Sequence, residues 1–284
     1  MEDVGFIGLG MMGRPMAMNL AAKQVPLITL DAAGVTLEGV PVAQDAAALA
    51  ARCRLIILML PDSRAVAAVM GGLLPGLQPG SLILDMGSSE PGETRRWAGL
   101  LAGKGCAMLD APVSGSVPKA RAGTLAIMVG GAEADFSRAE PVLRAMGEAI
   151  IRTGAIGSAH AMKALNNYVY AAGLLAVSEA AQMAEAQGLD LGVFAAVLNA
   201  SSGRNIASET KLAQEITSRR YAGGFQLGLM RKDLETAGGI AEATGAAAPL
   251  LTLLRARWSE ALAEFGPRAD NTEIHRYITK DSKP

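Results

Sequence analysis

Several things are scarce in this chain, and each scarcity excludes something. Of its 284 residues only two are cysteine, Cys53 and Cys106, with no framework spacing. That excludes a disulfide-stapled scaffold and fits a reducing compartment. There are only two histidines, His160 and His275, and no Cys/His cluster, so no metal centre is expected. Aromatic residues make up 4%, too few for base-stacking platforms. Charge is balanced, 26 Lys and Arg against 27 Asp and Glu, with no basic stripe or acidic block. Neither a nucleic-acid partner nor a membrane surface is expected from that balance. No uncharged apolar stretch reaches the roughly 18 residues of a membrane span. The start of the chain has no basic segment, and glycines interrupt its apolar run, so no signal peptide is expected. The composition describes a soluble cytoplasmic protein. What is plentiful is apolar: 50% of residues are hydrophobic, enough for a sizeable core in a chain long enough for two domains.

The apolar run Val4–Leu9 enters a glycine turn, Gly8-Leu9-Gly10-Met11-Met12-Gly13, and Met11–Lys23 then has helical character. Strand, G-x-G-x-x-G and helix in that order form a dinucleotide-binding start. The glycines let backbone N–H groups approach a pyrophosphate, and the helix N-terminus adds a favourable dipole. Pro26–Leu30 reads as a second strand ending at Asp31, 18 residues beyond Gly13. This is close to the roughly 20 at which a carboxylate meets the adenosine ribose. A carboxylate there accepts from the ribose hydroxyls and repels a 2′-phosphate. Ala32, Ala33 and Gly34 follow, with no arginine, which favours NAD over NADP. The competing reading is an ordinary turn aspartate.

Asp45 can cap a short helix, Ala46–Cys53. Leu55–Leu60 and Ser81–Met86 are continuous apolar runs, as strands covered on both faces require. They end in the loops Pro61-Asp62-Ser63 and Gly87-Ser88-Ser89-Glu90-Pro91, at the sheet edge where ligands sit. Glu93–Lys104 reads as helix, and Ala107–Leu109 leads into the loop Asp110–Ser116. Leu125–Val129 is a strand, Ala132–Met146 a helix and Ala149–Thr153 a last strand. Alternation of this kind makes residues 1–153 a doubly wound, mostly parallel α/β sheet domain.

Residues 154–188 are alanine-rich and free of proline, with Ser158 as an N-cap and Gly188 as a stop. About thirty helical residues span roughly 45 Å, long enough to join two bodies. Lys163, Asn167 and Tyr170 share one face of that helix, while Asn166 points about 100° away. On the helix alone, Lys163 is either a snorkelling amine or a functional one. Residues 189–284 read as helices only, over Asp190–Ala200, Glu209–Ser218, Leu227–Thr244, Pro249–Glu264 and Asp270–Thr279.

Five motifs now fall in order: GFIGLGMMGRPMAMNL (Gly5–Leu20), DAPVSGS (Asp110–Ser116), GTLAIMVGG (Gly123–Gly131), the Gly154–Asn167 run with Lys163 and Asn166-Asn167, and MRKDL (Met230–Leu234). Together they resemble the β-hydroxyacid dehydrogenases, which include 3-hydroxyisobutyrate dehydrogenase and tartronate semialdehyde reductase. The resemblance implies a Rossmann domain joined by a long helix to an all-α C-terminal domain like that of 6-phosphogluconate dehydrogenase. It implies an NAD-dependent reaction on a small carboxylate-bearing substrate, in a homodimer or homotetramer.

By the same resemblance Lys163 is the catalytic lysine and Asn167 helps hold substrate. Ser114, Gly115 and Ser116 grip the substrate carboxylate. Gly8 to Gly13 and Asp31 hold the cofactor, with Leu60 and Pro61 beside the adenosine ribose and Ser88 on the nicotinamide side. Lys232 closes over the site from the C-terminal domain. Read without it, Ser114–Ser116 is a plain turn and Lys232 a solvated lysine. Arg121 is a surface arginine, and Tyr170 packs between domains.

Two departures stand out. The segment from Asp31 to Pro41 is short where relatives carry a helix, and Gly87 stands where they often have serine. A non-catalytic dinucleotide-binding module and an imine reductase are the competing functions. Lys163 argues against both, because such relatives replace the lysine, and Asp31 argues against the NADP-preferring imine reductases.

Overall fold

A computed structural model describes residues 2–280. The apolar runs become strands because both of their faces are covered. β1 (Val4–Ile7), β2 (Leu27–Leu30), β3 (Leu55–Leu58), β4 (Leu82–Asp85) and β5 (Ala107–Asp110) pair in parallel in the order β2-β1-β3-β4-β5. Successive residues point to opposite faces. Ile57, Leu82 and Leu84 enter one core cluster, while Ile56, Leu58 and Ile83 enter another. Beyond β5 the sheet becomes mixed. β7 (Leu125–Gly130) runs antiparallel to β5 and to the two-residue β6 (Val113–Ser114), and parallel to β8 (Gly147–Gly154).

The first helices are α1 (Gly13–Ala22), α2 (Ala46–Arg52), α3 (Ser63–Leu73), α4 (Pro91–Ala102), α5 (Ser116–Ala122) and α6 (Glu133–Met146). Asp45 caps α2 through the Ala48 N–H, and Asp62 caps α3 through the Ala65 N–H. β6, α3 and α5 have no counterpart among the strands and helices expected above. No helix follows Asp31 before α2. Instead Val42 bridges Thr29, so the chain returns along the edge of β2. Strand order reverses about β1, which has β2 on one side and β3 on the other. The crevice at the carboxyl ends of β1 and β3 is therefore where a nucleotide belongs.

The chain divides into two compact units, Met1–Lys163 and Ala164–Pro284. α7 (Ser158–Ala186) runs 29 residues, opening in the first unit and continuing in the second. Ser158 is not its N-cap: it is already helical, and its Oγ meets Thr153 Oγ1 at 2.7 Å. Gly188, at φ +73°, does stop it, with the Gly188 N–H donating to Glu185 O and the Leu189 N–H to Ala184 O. The second unit is all helical: α8 (Leu191–Ala200), a ten-residue π-helical segment Ala207–Ile216, α9 (Leu227–Thr244), α10 (Pro249–Phe265), a 3-10 turn Asn271–Glu273 and α11 (Ile274–Lys280). Its core gathers Leu174, Leu212, Met230, Leu234, Leu254 and Trp258. No helix among the described residues is long and apolar enough to cross a membrane.

Candidate active site

The three glycines of the turn do different work. A Cβ on Gly8, at φ +97°, would lie 2.4 Å from Met59 O, and one on Gly13 would lie 1.9 Å from Gly8 O. Gly8 thus permits the turn to pack on the end of β3, and Gly13 permits α1 to start against β1. A Cβ on Gly10 would meet nothing within 4 Å. That open side is where a pyrophosphate needs the backbone to be bare, and the N-terminus of α1 carries no side-chain cap to compete for its N–H groups. The residues present therefore fit a dinucleotide.

Asp31 ends β2 half-buried. Its Oδ2 accepts from the Leu9 N–H at 2.7 Å, and its Oδ1 accepts from the Ala33 and Val35 N–H groups at 2.9 and 3.3 Å. The carboxylate both closes its own turn and is tied to the glycine turn. Leu60 and exposed Pro61 follow β3; Leu60 Cδ2 lies 3.2 Å from the Cβ position of Gly8. Gly87 has a steric cause: a Cβ there would stand 2.5 Å from Leu60 O. Gly8, Leu60 and Gly87 thus converge at the carboxyl ends of β1, β3 and β4. Half-buried Ser88 follows, in a loop shaped by Asp85, whose Oδ1 accepts from the Gly87 N–H at 3.0 Å and Oδ2 from Ser89 Oγ at 2.6 Å.

Ser114 ends β6, paired with Ala126 of β7. Gly115 (φ +133°) and Ser116 (φ +54°) follow in positive-φ conformations, which a serine adopts only under constraint. The Ser116 hydroxyl donates to Gly115 O at 2.7 Å. Lys163 is half-buried on α7. Its apolar neighbours Met162 and Leu165 are 49% and 39% exposed, so they do not jacket the amine.

Within the second unit, Asn167 and Lys232 are brought together by a residue the sequence reading left without a role. Asp233 is 2% exposed. Its Oδ2 accepts from Asn167 Nδ2 at 2.5 Å, and its Oδ1 pairs with Lys232 Nζ at 2.9 Å. Asn166 is exposed and donates to Asn167 Oδ1 at 3.2 Å. Tyr170 is packed inside this unit, its OH accepting from Asn271 Nδ2 at 3.2 Å, and burial pushes its phenol up to about 12. Burial likewise pushes the Cys53 thiol up to about 11, which leaves it inert as a nucleophile. Arg121 is exposed on α5.

A doubly wound sheet with this glycine turn, followed by an all-helical unit, defines a class of dinucleotide-binding proteins. A family model described as the NAD binding domain of 6-phosphogluconate dehydrogenase matches residues 3–157. One described as NAD-binding of NADP-dependent 3-hydroxyisobutyrate dehydrogenase matches residues 157–278. The chain is 38% identical to 2-(hydroxymethyl)glutarate dehydrogenase of Eubacterium barkeri, over 81% of this chain and 79% of that one. It is 36% identical to an NAD-dependent L-serine dehydrogenase of Pseudomonas aeruginosa, over 89% and 90%. Among solved structures, 3-hydroxyisobutyrate dehydrogenase of Mycobacterium tuberculosis with L-serine superposes with a TM-score of 0.92 at 32% identity, over 98% and 99%. The chain belongs to the β-hydroxyacid dehydrogenase family.

Proposed function

We propose that this chain is an NAD-dependent dehydrogenase that interconverts a small β-hydroxyacid and its semialdehyde, with Lys163 as the general acid and base. Residues 1–153 hold the cofactor, 154–188 carry the lysine, and 189–284 close over substrate and mediate assembly into a homodimer or homotetramer. One observation carries the reading: Lys163 and Asn167 stand one turn apart on α7, and buried Asp233 fixes the Asn167 amide and Lys232 together.

Bound at the glycine turn, the nicotinamide dinucleotide supplies the hydride acceptor. The N–H groups from Gly10 to Gly13 face its pyrophosphate, and Asp31 meets the ribose hydroxyls, which favours NAD. Leu60 and Pro61 flank the ribose, and Ser88 lies on the nicotinamide side. Ser114, Gly115 and Ser116 orient the substrate by its carboxylate. Lys163 takes the hydroxyl proton during oxidation and returns it during reduction. To take that proton Lys163 has to enter the reaction as the neutral amine.

The substrates printed in the relatives' names share one skeleton, a 3-hydroxypropanoate substituted at carbon 2. That skeleton is the proposed substrate class here. The test is a panel of such acids with NAD or NADP, read by the absorbance of the reduced nicotinamide. Reduction with NAD in preference to NADP is the expected result. Silence across the panel would leave only a dinucleotide-binding module.

A further inference from the structure

Four buried polar side chains of the first unit meet at the opening turn of α7, and the chemistry above uses none of them. The carboxylates of Asp85, ending β4, and Asp110, ending β5, are both 0% exposed. Asp110 Oδ1 accepts from the Gly157 N–H at 2.8 Å and Oδ2 from the His160 N–H at 2.9 Å, so it caps α7 from outside the helix. The third group, His160, is 1% exposed, and its Nδ1 lies 2.8 Å from Oγ1 of the fourth, Thr94 on α4. The Thr94 hydroxyl also donates to Glu90 O at 3.1 Å. His160 Nε2 lies 3.9 Å from Asp85 Oδ2 and has no hydrogen-bond partner among the described residues.

A ring nitrogen buried without a partner is costly, and an apolar side chain would fill the same space more cheaply. The position of this ring points to a different use. Asp85 shapes the Gly87–Ser89 loop, and Asp110 anchors α7. His160 joins α4 to α7 beside Asp85, one helical turn before Lys163. We propose that His160 is a positioning residue: through Thr94 and Asp85 it sets the first turn of α7 against the Ser88 loop, and so sets where the Lys163 amine stands. The catalytic half of this proposal rests on the dehydrogenase reading; the structural half, an ordered first turn, does not.

The test compares His160→Leu, His160→Asn and Thr94→Val in the full chain. The readouts are kcat, cofactor Kd and hydrogen exchange of the amides from 157 to 165. His160→Leu is expected to lower kcat about 10- to 100-fold, the scale of a small misplacement of a reacting group. Cofactor Kd stays unchanged, while exchange in 157–165 rises and exchange in β1 to β3 does not. His160→Asn places an amide near the position of Nδ1, within reach of Thr94 Oγ1, and recovers most of the loss. Thr94→Val gives the same pattern at smaller amplitude, and it decides the matter if His160→Leu does not fold. Wild-type kcat and exchange in His160→Leu, or in Thr94→Val when only that variant folds, overturn the proposal. So does an equal loss in the Leu and Asn variants. A wild type silent on every hydroxyacid sinks the dehydrogenase reading, and exchange alone then decides the positioning role.

Discussion

On α7, half-buried Lys163 stands between two exposed apolar side chains, Met162 and Leu165. Lys163→Ala is expected to lower turnover by about 10²–10⁴-fold, the usual contribution of a proton-transfer residue. Cofactor affinity, read by titration with reduced dinucleotide, is retained. At Asp31 the prediction concerns choice of cofactor. Asp31→Ser removes the charge that repels a 2′-phosphate and the acceptor of the Leu9 N–H. NAD affinity is expected to fall and the NAD:NADP ratio of kcat/KM to shift toward NADP; an unchanged ratio would show that Asp31 is only a turn residue. Helical spacing put Lys163 and Asn167 on one face, and the resemblance, not the spacing, gave them their expected roles. Asp233 could not be singled out, because an acid after a lysine on a helix reads as solvated. Only the folded second unit buries it against Asn167. His160 was hidden in the same way: a histidine in an alanine-rich run says nothing of the two acids at the ends of β4 and β5.

Among the elements, α7 takes its cap from a distant strand. Asp110→Ala leaves the Gly157 and His160 N–H groups unsatisfied in a buried place. A loss of about 1–3 kcal/mol is expected from urea unfolding, the penalty for orphaned buried donors. Strands were legible wherever an apolar run was continuous, because burial on both faces leaves no alternation to confuse. α3 was missed although Val66, Met70 and Leu73 bury one face and Asp62 caps it; Gly71 and Gly72 near its end mask the pattern. β6 has two residues and α5 seven, both too short for any periodicity to register. A helix was expected over Glu209–Ser218. Ala207–Ile216 instead winds as a π-helix, which a 3.6-residue period does not report.

At the scale of the whole molecule, an α/β start followed by helices was legible because strand patterning stops after residue 153. Stability of the second unit carries a pH signature. His275 is buried, and burial lowers its pKa below the ordinary 6.5, with Glu185 and a bond to the Ser178 backbone acting the other way. Below about pH 6.5 the unfolded chain takes up a proton that the folded protein refuses. Stability therefore falls as pH drops through that window, by at most about 1.4 kcal/mol per pH unit from this group. Urea midpoints at pH 7.5 and 5.5 are expected to separate less in His275→Gln than in the wild type. Gly10 offers a different handle. Nothing lies within 4 Å of the methyl that Gly10→Ala would add, and Gly10 is not held at positive φ. Without ligand, then, the variant melts like its parent. Saturating dinucleotide at about a hundred times Kd adds roughly 2.7 kcal/mol to the parent. The added methyl would stand on the open side of the turn, so the same titration is expected to leave the variant's melting curve where it began. A single carbon atom thus separates what the loop needs in order to fold from what it needs in order to hold a nucleotide.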